Sequence, residues 1–96
     1  MTILDNNLVY KSIVILAIEK TLLVVGKPTY DKVVDLLEKD HHCDLADCYA
    51  HPEYLTQVLK KLYGNSYLVI IESINKKLEE YSYKEPIKKF QEVLGQ

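Results

Sequence analysis

Three histidines and both cysteines of this 96-residue chain fall in one short stretch, His41-His42-Cys43-Asp44-Leu45-Ala46-Asp47-Cys48-Tyr49-Ala50-His51-Pro52-Glu53-Tyr54-Leu55. With His41 or His42, Cys43, Cys48 and His51, the stretch offers four nitrogen and sulfur donors, the number that a tetrahedral zinc takes. The spacing speaks against that use. Zinc modules present one close pair of ligands and a second pair at a distance, whereas here every donor crowds into eleven positions and no second cluster exists. The residues read better as structure: Cys43 and Cys48 as small buried hydrophobes, His51 as a helix cap, His41 and His42 as solvated side chains. A regulatory disulfide is a further alternative. The expected working state is reduced and metal-free, with no cofactor.

Nucleophilic catalysis is the other chemistry these residue types allow. Cys48 and His51 would share one helical turn only if the following helix began earlier, and Pro52 argues against that. Neither a third orienting group nor an oxyanion site is visible, so no catalytic residue and no enzyme are expected. Asp44 and Asp47 read as a cap and a solvent-facing residue of a short helical turn from Leu45 to Tyr49.

The elements that hold this stretch are helices. Asp5 or Asn6 can cap a first helix from Leu8 to Val25, with Gly26 closing its last turn in a left-handed conformation and Pro28 preventing its continuation. Within it Ile13 to Ile18 is an unbroken apolar run that covers every side at about 100° per residue. Such a helix must be surrounded: either it is the central element of the monomer, or a partner chain covers part of it. Thr29 reads as the next N-cap, before a stripe of Tyr30, Val33, Val34 and Leu37 that ends near Asp40. His51-Pro52-Glu53 opens a third helix, with Leu55, Val58, Leu59 and Leu62 on one side and Gly64 as its stop.

Asn65 or Ser66 caps a fourth helix, in which Tyr67, Ile71, Ile74, Leu78 and Tyr81 form one seam and Val69 and Ile70 widen its first half. The run from Tyr67 to Ile71 also resembles a short buried strand, but the seam continues past it at helical spacing. A last helix begins near Pro86, with Ser82 or Glu85 before it and Ile87, Phe90 and Leu94 on one side. The prediction is one all-α domain over residues 1–96, a compact bundle of about five helices with mostly antiparallel neighbours and a central apolar first helix.

Composition narrows the function. The chain is 48 % hydrophobic and 27 % charged with a formal charge of −2, and at this length one core buries roughly 60 to 65 % of the unfolded surface. Every basic residue is lysine, which disfavours a dedicated nucleic-acid reader, since arginine is preferred for bidentate phosphate and guanine contacts. The pairs Lys60-Lys61, Lys76-Lys77 and Lys88-Lys89 lie away from the apolar stripes. Glu72 with Lys76 and Glu85 with Lys89 have the order of solvated i, i+4 ion pairs. The start lacks a secretory pattern and Leu8 to Val25 is too charged for a membrane span, so a cytoplasmic location without membrane contact is expected. Tyr49 and Tyr54 can form part of a recognition surface beside the central stretch, although packing at the edge of the core is the preferred reading for them.

The order of signals resembles that of a known series: Val9-Tyr10-Lys11, Gly26-Lys27-Pro28-Thr29-Tyr30-Asp31-Lys32-Val33, Cys43 with Asp47 to Leu55, then Leu62-Tyr63-Gly64-Asn65 and Glu72-Ser73-Ile74. Over nearly its whole length the chain resembles the Nitrosopumilus output domains, helical modules of ammonia-oxidising archaea, and among them the fifth family of that series. The resemblance implies a signal-output or interaction role, because such domains occur with phosphorelay receiver domains; no functional residue and no molecular target transfers with it. This chain has no receiver domain and would be a standalone version. The first expectation is therefore a non-enzymatic module with a protein partner, homo-oligomers included. DNA binding is second and metal or redox sensing third.

Overall fold

A helix of twenty residues runs about 30 Å, and that length governs the packing of everything after it. The computed structural model describes residues 6–95. Helix α1 spans Asn6–Val25, so Asn6 already lies in the helix, while Asp5, the other expected cap, is outside the described residues. Then follow α2 (Lys27–His41), a 3-10 turn (Leu45–Tyr49), α3 (Pro52–Tyr63), α4 (Tyr67–Leu78) and α5 (Glu85–Leu94), with 3-10 turns at Gly64–Ser66 and Glu79–Tyr81 on either side of α4. The described residues contain no strand, so Tyr67 to Ile71 is helical. The fold is an all-α bundle. Its radius of gyration of 13.1 Å is that of a compact chain of about 100 residues.

One residue joins the two longest helices. Gly26 donates its N–H to the Leu22 carbonyl at 3.0 Å and accepts from the Tyr30 N–H at 3.1 Å, closing α1 and opening α2 at once. Its backbone is at φ 153, ψ 150, an extended conformation of positive φ rather than the expected left-handed helical one, and essentially open to glycine alone. The cap of α2 is therefore Gly26 and not Thr29. Pro28 sits in the first turn, where its missing N–H costs nothing, and the Thr29 hydroxyl instead accepts from Tyr63 Oη at 3.0 Å. Gly26→Ala is expected to cost about 1 to 3 kcal/mol. A Cβ there would meet Pro28 Cδ at an ordinary 3.6 Å, so the loss is backbone strain and not collision. Urea denaturation of the variant checks it, and an unchanged midpoint would show that the turn relaxes without penalty.

The core is built where the helical stripes meet: Val14, Ile18 and Leu22 of α1, Val33 and Leu37 of α2, Leu55 and Leu59 of α3, Ile71, Ile74 and Leu78 of α4, and Ile87, Phe90 and Leu94 of α5. Val69, expected to widen the α4 seam, is 66 % exposed, because it lies on the side of α4 away from Ile71 and Ile74. Helix α5 is preceded by Lys84 with no side-chain cap, and the Ser82 hydroxyl donates back to the Leu78 carbonyl. A buried hydroxyl closes the far end of α5. Thr56 of α3 donates to the Leu94 carbonyl at 2.9 Å, satisfying a carbonyl that the helix cannot pair for itself.

Helix α1 touches α2, α4, α5 and the 3-10 turn after α2, so it is central in connectivity. It is not enclosed. Leu8, Leu16, Leu23, Val24 and Val25 are exposed, because α2, α4, α5 and the 3-10 turn leave one side of α1 and its C-terminal end uncovered. Ion pairing also differs from the sequence pattern. Among the described residues Glu72 with Lys76 and Glu85 with Lys89 do not close; the pairs that form are Lys27 with Asp31, Lys39 with Asp35, Lys61 with Asp40, and His51 with Glu53.

Candidate functional site

The His/Cys stretch is the connection from α2 to α3, and its local chemistry is that of a connection. His42 ends α2 in the left-handed region, φ 52 and ψ 40, a conformation that histidine tolerates better than most residues. The turn lets the His42 N–H reach the Glu38 carbonyl at 3.1 Å and the Cys43 N–H reach the Leu37 carbonyl at 3.3 Å. The Cys43 thiol faces that same Leu37 carbonyl, 3.9 Å away. Asp44 then caps the 3-10 turn reciprocally with Asp47: the Asp47 N–H donates to Asp44 Oδ1 at 3.1 Å, and the Asp44 N–H donates to Asp47 Oδ2 at 3.0 Å. Asp47 is thus the second half of a capping box, a fuller role than that of a solvent-facing residue.

Two of the three histidines are gathered on one tyrosine. The Tyr54 ring stacks on His41 at 4.3 Å between centroids and 13° between planes, and on His51 at 4.7 Å and 15°. His51 Nδ1 also lies 3.2 Å from Glu53 Oε2. As the residue preceding α3, His51 makes no side-chain cap hydrogen bond, so its ring serves the stack. These contacts fasten the end of α2 to the start of α3. The His51 to Tyr54 half has i, i+3 spacing and was readable; the His41 half crosses between helices and had no local signal.

The possible ligands are not collected. Among the described residues no group of three or more His, Cys, Asp or Glu is placed to hold a metal ion. Cys43 and Cys48 are both buried free thiols. Burial pushes the Cys48 thiol up to about 12, assisted by the neighbouring Cys43, Asp47 and Asp44. Cys43 is raised in the same way, by burial first and then by Asp47, Asp44 and Glu38. The thiolate is the nucleophile and the metal ligand, and this environment opposes it at both cysteines. His51, exposed and engaged with Tyr54 and Glu53, stands in no contact that would activate Cys48.

Tyr49 and Tyr54 are both half-buried, and both are engaged within the chain, Tyr54 in the stack and Tyr49 through its hydroxyl, which donates to Asn7 Oδ1 at 2.7 Å. They fit packing at the edge of the core. The stretch helps to build two depressions: Tyr49, Ala50 and Pro52 line one of about 560 Å³ with Pro86 and Phe90 of α5, and Ala46 of the 3-10 turn forms one wall of a groove along α1 with Leu8, Lys11, Ile15, Leu16 and Glu19, about 460 Å³ in volume. Sequence reasoning did not single out these groove residues. Their signal was the all-round apolarity of α1, which cannot say which side stays open. Among the described residues no helix is long and apolar enough to cross a membrane. Family models, curated proteins and solved structures all return no match to the chain.

Proposed function

We propose that the chain is a non-enzymatic interaction module of the signal-output kind, working through a protein partner and not through turnover. The observation that carries this reading is the outer side of α1. Leu8, Leu16 and Leu23 recur there at helical spacing and are exposed, with Ile15 half-buried between them. Single exposed leucines are ordinary, whereas an apolar line along one helix is the mark of a binding surface. The buried thiols, held in their protonated form, and the stacking of His41 and His51 on Tyr54 favour no competing chemistry. The signalling half of the reading rests on the sequence resemblance to the Nitrosopumilus output domains alone, since no family model matches the chain.

The test compares the wild-type chain with Leu16→Glu/Leu23→Glu in capture from the native cell extract. Both positions are about half exposed, so the double variant keeps its helical circular dichroism and unfolding midpoint, and the captured protein is lost. Equal capture by both chains overturns the reading. So does a sequence-specific duplex DNA complex that survives physiological salt and is weakened by Lys60→Ala with Lys61→Ala, which would put DNA first.

A further inference from the structure

Leu16 stands between two depressions. On one side is the groove walled by Ala46; on the other, Ile13, Ala17 and Lys20 of α1 face Lys77, Glu80 and Tyr81 across a depression of about 340 Å³. Leu16 itself is 52 % exposed, so it forms a ridge with a hollow on either side. That is the relief of a surface able to receive its own copy, since a two-fold contact needs a knob and a hole on the same patch.

The charges on this face have the same property. Lys11, Ile15, Glu19 and Leu23 follow each other at intervals of four, one of the ridges by which helices interlock. Lys11 and Glu19 are therefore equidistant from Ile15, each about 6 Å along the axis. A second α1 crossing antiparallel at Ile15 sets its Glu19 opposite Lys11 and its Lys11 opposite Glu19, whereas a parallel copy in register would oppose lysine to lysine and glutamate to glutamate. Neither residue forms an ion pair with any described residue of its own chain. Lys20 belongs to the far depression, where Glu80 also lies.

We propose that a second copy of this chain docks antiparallel on the outer face of α1, its Leu16 seated in the groove walled by Ala46 and its Glu19 facing Lys11 at both ends. This rests on the interaction-module reading and names the partner at that surface. The flanking Ser12 is small and leaves room for the incoming side chain, and the apolar residues lie at the crossing point with charge outside them, the usual arrangement of an interface centre and rim.

Sedimentation equilibrium of the purified chain from micromolar to millimolar concentration tests it. The wild type is expected to pass from monomer to dimer, and Leu16→Glu to raise the dissociation constant by about thirtyfold or more. An unfolding midpoint measured at dilution, equal to that of wild type, shows that this variant is folded. Lys11→Glu alone and Glu19→Lys alone each set like charges opposite one another twice and raise the constant by roughly tenfold. Combined in one chain they restore wild-type association. A wild type that stays monomeric throughout, single reversals without effect, or a double reversal that fails to rescue overturns the proposal. A monomeric wild type whose partner capture is still abolished by Leu16→Glu/Leu23→Glu sinks the second-copy proposal alone and leaves the interaction-module reading standing.

Discussion

Ile74→Ala is expected to lower the unfolding free energy by about 2 to 5 kcal/mol, the cost of truncating a fully enclosed isoleucine and leaving its cavity behind. Ile74 has no exposed surface and lies midway along α4, which packs on α1, α3 and α5, so few neighbours can move in to fill the space. Set against a total of roughly 5 to 15 kcal/mol for a domain, this is enough to leave a visible unfolded fraction in mild urea. Val69→Ala is the control. On the solvent side of the same helix it should change stability by no more than about 0.5 kcal/mol. Equal urea midpoints for Ile74→Ala and Val69→Ala would show that α4 does not face the core as described.

The second large effect is a loss of stability at high pH that passes through Cys48. The unfolded thiol ionises near its ordinary 9.0, whereas burial pushes the folded one up to about 12. Below 9.0 both states hold the proton and the group has no influence. Between the two values the unfolded chain gives up a proton that the folded chain keeps, so stability falls as pH rises, by roughly 1 kcal/mol per pH unit. Tyrosines and lysines titrate in the same range, which makes the informative quantity the difference between wild type and Cys48→Ala. Urea curves of the two chains should converge as pH is raised from 8 to about 10. Parallel pH profiles would mean that the buried thiol ionises as easily as a free one.

What could be read from the sequence depended on distance along the chain. Stripes such as Leu55, Val58 and Leu59 or Ile87, Phe90 and Leu94 need only the helical period, and they are the residues found buried. The capping function of Asp44 was also legible, being settled within four residues. Gly26 was recognised as a stop, but its extended positive-φ conformation was not, because that depends on how α2 returns against α1. The side of α1 left open was hidden for a related reason: an apolar residue at every angle gives no preferred face, and only the placement of the neighbouring helices decides which side is covered. At the His/Cys stretch the residue types suggested chemistry that the geometry does not assemble. Burial of the thiols and the His41 side of the stack on Tyr54 arise from helix packing, which no local spacing encodes.

The one-residue join at Gly26 has a consequence for how the chain finds its fold. Closure entropy grows with the number of residues between two partners, and between α1 and α2 that number is at its practical minimum. The two longest helices, which also touch each other extensively, thus pair without any appreciable loop to order, while α3 and α5 must each be brought in across greater separations. Local contacts of this kind favour rapid folding. The α1–α2 hairpin is the natural starting template, on which the later helices gain their apolar contacts as they arrive.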